Sequence, residues 1–247
     1  MNQKVVVFGA NGLIGRAVAK GMMEAGLNVF MSDLAPQSVL LDNDYSSSEL
    51  YIAADITNET QVKKVLTTAL EKFGSLDAAI NMAYPKPNTW GTPVAKLTYD
   101  EFCQAVNLHL GGYFIVTRET CALMAENGGG CVINFSSIYG TIAPDFSIYK
   151  AGITATPVEY AAIKAAIIQM SKYFAKYHLS DGVRVNTISP GGVENDHPLE
   201  FLEQYEMRCG KIGMLKPEDL LYQVMYLVKS GSAITGQNLI IDDGFSI

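Results

Sequence analysis

Residues 5–15 read Val5-Val6-Val7-Phe8-Gly9-Ala10-Asn11-Gly12-Leu13-Ile14-Gly15, an apolar run that ends in glycine-spaced residues and passes into a helical pattern. The Val and Phe residues suit a strand buried on both faces. Glycines allow a tight turn and a close approach of backbone. A helix opening at Leu13 would present unpaired N–H groups and a positive dipole end. Strand, glycine turn and helix start, in that order, suit a nucleotide pyrophosphate, although glycines alone also serve purely structural turns. Gly9, Asn11, Gly12, Leu13, Ile14 and Gly15 are the candidates for this site.

The same alternation continues outward from this stretch. Further strand candidates are Asn28 to Met31, Tyr51 to Ala53, Ala78 to Asn81, Cys131 to Phe135, Arg184 to Ile188 and Leu239 to Ile241. Between them lie helical patterns near 14–25, 59–73, 98–126, 158–179 and 217–230. Strand and helix in regular alternation predict an α/β fold with one doubly wound, Rossmann-type parallel sheet of seven strands, helices covering both faces. No Ser/Gly linker or repeat divides the chain, so residues 1–247 read as one domain.

Open α/β sheets bind ligands at the carboxyl ends of their strands. Asp33 stands there, eighteen residues after Gly15, where a carboxylate can accept both ribose hydroxyls of an adenosine and repel a 2′-phosphate. NAD is therefore favoured over NADP, with Arg16 as a complicating cation. Asp55 and Ile56 follow the third strand, and Asn81 and Ala83 the fourth, as adenine and ribose candidates. Asp55 serves equally well as the N-cap of the next helix.

Composition removes other classes of function. At 49% hydrophobic, the chain can bury a sizeable core. Eighteen Lys plus Arg against twenty-five Asp plus Glu is the wrong balance for a partner held by many phosphates, so no nucleic-acid partner is expected. The longest uncharged stretch is broken by Gly and Pro, which predicts no membrane span. Cys103, Cys121, Cys131 and Cys209 form no C-x-x-C pair and read as reduced thiols of a cytoplasmic protein. His109, His178 and His197 lack metal-ligand spacing, so each reads as a surface or packing residue and no metal is expected.

Tyr160-Ala-Ala-Ile-Lys164 places a phenol and an ammonium one helical turn apart. The Cys131 to Phe135 strand delivers Ser136 and Ser137 to the same sheet edge, and Asn107 stands in an apolar helical pattern where a buried amide would need a purpose. Together with the glycine turn and Asp33, Asp77 to Ala83, Asn186-Thr-Ile-Ser-Pro190-Gly191 and Thr235-Gly236 to Asp243-Gly244, these motifs resemble the short-chain dehydrogenase/reductase (SDR) family over essentially the whole chain.

The resemblance implies that Tyr160 is the general acid/base, Ser137 orients the reacting oxygen, Lys164 holds the nicotinamide ribose and Asn107 anchors a proton-relay water. Pro190, Gly191 and Val193 would complete the cofactor site. A phenol near pKa 10 must fall by about 3 units to act at neutral pH, worth about 4 kcal/mol. An ammonium about 4 Å away supplies roughly that much at an effective dielectric of about 20. The family also implies a small-molecule substrate, a closing segment over residues 191–210, and a homodimer or homotetramer built on the helices near 98–126 and 158–179.

Several positions depart from the family pattern. The glycine spacing is nearer the extended branch, which keeps a nucleotide-sugar epimerase or dehydratase with retained NAD as a rival, and a non-catalytic NAD-binding sensor as another. Tyr84 stands where the family has glycine. Tyr160 follows Ser137 by more residues than is usual, an insertion within 141–158. Such an insertion is similar to that of the flagellin-modification group, linked to bacterial surface sugars. It implies a sugar phosphate or nucleotide sugar as substrate, contacted by Tyr84, Lys86, Trp90, Tyr139, Tyr149 and Lys150.

Overall fold

The computed structural model describes residues 3–36, 50–149, 155–229 and 233–247. Seven strands form one parallel sheet: β1 (Lys4–Phe8), β2 (Asn28–Asp33), β3 (Tyr51–Ala53), β4 (Ala78–Asn81), β5 (Gly130–Phe135), β6 (Val183–Pro190) and β7 (Asn238–Ile241). Their spatial order is β3-β2-β1-β4-β5-β6-β7. The chain therefore winds outward from β1 to β3, returns to β4 beside β1, and winds the other way. That reversal opens a crevice at the carboxyl ends of β1 and β4.

Alternation within β1 shows why both faces must be covered. Val6 and Phe8 join a core with α2 (Glu59–Phe73), α3 (Tyr99–Glu126) and α4 (Val158–Tyr177). Val5 and Val7 point the opposite way, to α1 (Leu13–Glu24) and α6 (Leu221–Lys229). Local chemistry sets the helix ends. Thr98 and Glu101 form a reciprocal capping box at the start of α3, and Gly74 closes α2 in the left-handed conformation at φ 73°.

Every expected strand is present, with ends moved by two residues or fewer. The helical pattern at 217–230 resolves into a 3-10 turn at Pro217–Leu220 followed by α6, because proline at the first position favours a tight start. Asp55 is not the N-cap of α2. Asn58 takes that role, accepting from the Gln61 amide at 3.2 Å, while the Asp55 carboxylate accepts from the Thr57 amide and hydroxyl at 2.8 and 2.7 Å. The expectations missed α5 (Leu199–Glu206). Among the described residues no helix is long and apolar enough to cross a membrane.

Candidate active site

The glycine turn is tighter than its spacing requires. Gly9 sits at φ +82°, and a side chain there would run into the backbone of Met82 and Ala83; one at Gly15 would overlap the Gly9 carbonyl. No side chain caps α1, so its first N–H groups stay free at the edge of a cavity of about 540 Å³ lined there by Gly12 to Gly15. The Asn11 amide donates to Asp33 at 2.9 Å, tying the turn to the end of β2. Arg16 is committed to the Asn11 carbonyl at 2.8 Å. The Asn11 side chain donates to the Tyr51 hydroxyl at 3.1 Å. Burial, and then the Asp33 charge, push the Tyr51 phenol up to about 12, which keeps it a donor, here to the Ala35 carbonyl.

Across the cavity, β5 ends where Ser136 and Ser137 begin, and α4 brings Tyr160 and Lys164 onto the same wall. The two serines have different tasks. Ser136 donates to the Lys164 carbonyl at 2.7 Å and holds α4 against β5, whereas the Ser137 hydroxyl stands beside the Tyr160 phenol. The 3-10 turn Ile138–Gly140 presses so closely on α4 that a Cβ at Gly140 would lie 2.7 Å from the Lys164 carbonyl carbon. Lys164 is 3% exposed. Its ammonium donates to the Phe135 carbonyl at 3.0 Å and lies 5.4, 5.5 and 5.7 Å from the ring centres of Tyr113, Tyr160 and Tyr84.

Burial reverses the simple electrostatic expectation. It raises the Tyr160 phenol, with the Ser137 hydroxyl opposing, and lowers Lys164 to about 7. The cause is desolvation, since burial penalises the charged form of each group.

The expectation for Asn107 is corrected. Asn107 is exposed, whereas His109 is completely buried. Two residues on a helix turn the side chain by about 200°, so both cannot face the core. The buried stripe of α3 runs through Ala105, His109, Gly112, Tyr113 and Val116. The His109 ring packs 5.0 Å from Tyr84, 5.3 Å from Tyr113 and 6.0 Å from Trp90.

A family model described as enoyl-(acyl carrier protein) reductase matches residues 9–246. The post-translational flagellin modification protein A of Campylobacter coli is 32% identical over 253 residues, covering 100% of this chain and 99% of that protein. A 3-oxoacyl-[acyl-carrier-protein] reductase from Synechocystis is 26% identical, covering 98% and 96%. A short-chain dehydrogenase from Leptospira borgpetersenii, solved with bound NAD+, superposes with TM-score 0.85 at 32% identity, covering 100% of this chain and 94% of that one. The chain belongs to the short-chain dehydrogenase/reductase family.

As an SDR oxidoreductase, the protein brings Ser137, Tyr160 and Lys164 together, with Pro190, Gly191 and Val193 on the same cavity. Tyr84, Tyr139 and Tyr149 also line it. Gly9, Asn11, Asp33, Asp55, Asn81 and Ala83 lie along the strand ends outside the cavity lining, and Ile56 is buried against Gly112. Lys86 is exposed beside Tyr84, 6.0 Å from its ring centre, and Trp90 packs behind Tyr84 at 5.5 Å; neither lines the cavity. Lys150 lies outside the described residues. Sequence reasoning missed Tyr113, Phe201 and Tyr205, whose only signal was an aromatic at a helical apolar position.

The insertion and the 191–210 segment meet over the cavity. Tyr149 packs on Phe201 of α5 at 5.5 Å and shares a hydrogen bond with Thr156 at 2.7 Å. Arg208, just beyond α5, pairs with Asp145 and donates to Ser147 at 2.6 Å. Half-buried pairs near the surface, still screened by solvent, contribute little to stability, about 1 kcal/mol or less. Arg208→Ala should therefore leave the melting temperature nearly unchanged yet raise KM for the substrate several-fold, because the pair sets how the two segments close. Steady-state kinetics beside a thermal melt would show this, and an unchanged KM would remove the role.

Proposed function

We propose that this SDR is an NAD-dependent oxidoreductase acting on a secondary alcohol or ketone of a sugar derivative, either a sugar phosphate or a nucleotide sugar. The observation that carries the reading is the meeting of Ser137, Tyr160 and Lys164 on one wall of a cavity whose opposite rim is the uncapped start of α1. The residues present fit a dinucleotide: Gly9 and Gly15 leave no room for a Cβ and so hold the turn tight against the start of α1, the helix start offers free N–H groups, and the Asn11 Oδ1 atom is buried without a protein partner. Asp33 would hold the adenosine ribose, and Lys164 with Tyr160 the nicotinamide ribose. Bound NAD supplies the hydride acceptor or donor.

This chain's own residues do the rest. Ser137 orients the substrate oxygen, and Tyr160 takes or returns its proton. The aromatic wall of Tyr84, Tyr139 and Tyr149 offers ring faces to a sugar. The likeness to the Campylobacter coli flagellin modification protein supports the sugar reading. Exposed Phe114, Tyr173 and Tyr177 on α3 and α4 support a homo-oligomer built on those helices.

The test is incubation with NAD or NADP and a panel of sugar phosphates and nucleotide sugars, following cofactor absorbance and product mass. Net reduction of NAD establishes the dehydrogenase and its substrate class. Altered stereochemistry or loss of water without net reduction would replace it by internal redox. For the cofactor choice, Asp33→Asn should weaken NAD about tenfold, or about 1.4 kcal/mol, and improve NADP, as read by titration calorimetry. An unchanged preference would show that Asp33 does not read the ribose.

A further inference from the structure

His109 has no place in the chemistry so far, yet its surroundings are those of a working group. It is completely buried, and neither ring nitrogen has a protein hydrogen-bond partner. Tyr84 and Tyr113 each contact both the His109 ring and the Lys164 ammonium, so the two groups share a pair of aromatic walls. The Tyr113 hydroxyl cannot serve His109, because it donates to the Asn81 carbonyl at 3.2 Å. Lys164 has three donors, and Phe135 accepts one of them. The two unpartnered His109 nitrogens and the remaining Lys164 donors, set between the same two rings, are buried groups of the kind that ordered water satisfies.

We propose that His109 is a positioning residue of the proton path: its imidazole holds water against the Lys164 ammonium and extends the Tyr160–Lys164 pair toward α3. The inference rests on the acid/base reading of Tyr160 given above. Burial first, and the charge of Lys164 second, pull the His109 pKa to about 2, so the ring stays neutral at working pH. A neutral imidazole has one donor and one acceptor nitrogen. It can therefore accept from a water at Lys164 and donate on its far side, or exchange those roles by changing tautomer as Lys164 gains or loses its proton. An amide keeps the donor and acceptor; an alkyl group keeps neither. The titratable groups around this cluster are Lys164, Tyr160 and buried Glu159 on α4, Tyr84 after β4, and Tyr113 one turn along α3.

The chain has three histidines, so nitrogen-15 NMR of histidine-labelled protein resolves His109, assigned with His109→Gln. The ring should remain neutral from about pH 5 to about pH 8, while its two nitrogens exchange tautomer populations with the midpoint of Lys164, near 7. In Lys164→Met the exchange should vanish. A ring that protonates near the ordinary 6.5, a flat response, or the same response without Lys164 would overturn the proposal. On a panel sugar that turns over, His109→Leu should lower kcat about tenfold or more and move the pH midpoint of kcat, with His109→Gln recovering most of the loss. Equal losses in both variants at an unmoved midpoint would make His109 a packing residue. Full turnover by Tyr160→Phe would defeat the acid/base reading while leaving the NMR coupling intact, so the two failures are distinct. The NMR result decides the proposal without any substrate.

Discussion

Tyr160→Phe should lower kcat by about 10³-fold while NAD binding stays within a few-fold of wild type. The substitution keeps the ring, which packs 6.0 Å from Tyr84 and 6.3 Å from Trp90, and removes only the hydroxyl beside Ser137. Folding should hardly change, since the aromatic cluster survives. Among the groups at this wall, the Ser137 hydroxyl has no charge partner, Lys164 is turned to the Phe135 carbonyl, and His109 lies behind the tyrosines. In the proposed reading Ser137 orients the substrate oxygen without exchanging its proton, so no other group at this wall replaces the Tyr160 hydroxyl. Turnover of any sugar from the panel, followed by cofactor absorbance and single-turnover kinetics, checks this. Wild-type kcat in the variant would remove Tyr160 from the chemistry and with it the central assignment.

The second large effect is expected at the glycine turn. Gly15→Val should weaken NAD by about 100-fold or more, equivalent to about 2.7 kcal/mol, and lower the melting temperature as well. The reason is geometric: a Cβ at Gly15 would occupy the space of the Gly9 carbonyl and crowd the backbone of Ala10. To relieve that overlap α1 must move away from β1, and its free N–H groups move with it. Gly12 is the control. Its Cβ would meet only the Gly9 carbonyl, at 3.3 Å, so Gly12→Ala should keep the fold and lose less affinity. Trp90, the chain's single tryptophan, lies beside Tyr160 and offers a fluorescence signal for the titration. Equal affinities in Gly15→Val and wild type would place the dinucleotide elsewhere.

Most of the sheet was legible because its signals are local. The β1 run, its glycine turn and the start of α1 are contiguous, and each apolar run that followed became a strand. The insertion before Tyr160 was equally visible as a spacing. Two readings needed more than local pattern. Asn107 drew attention because an amide among apolar residues looks costly, but cost depends on burial, and the stripe through Ala105, His109, Gly112 and Tyr113 turns Asn107 outward. Helix α5 goes unread within the closing segment at 191–210 because Pro198 and several charges mask its short apolar face, whose Phe201 and Tyr205 pack with Ile138, Ile148 and Phe245.

By itself, then, the amino-acid order determined the parallel sheet, the glycine cradle and the placing of Ser137, Tyr160 and Lys164 at strand and helix positions that share one edge. These follow from side-chain period, turn chemistry and residue spacing, which neighbouring residues decide. Tertiary structure alone decided that Ser136 braces α4 while Ser137 meets Tyr160, and that His109 lies behind Lys164. It also decided that Lys164 titrates near 7. Each of these depends on what residues far apart in the chain exclude from water, and desolvation is a property of the packed whole.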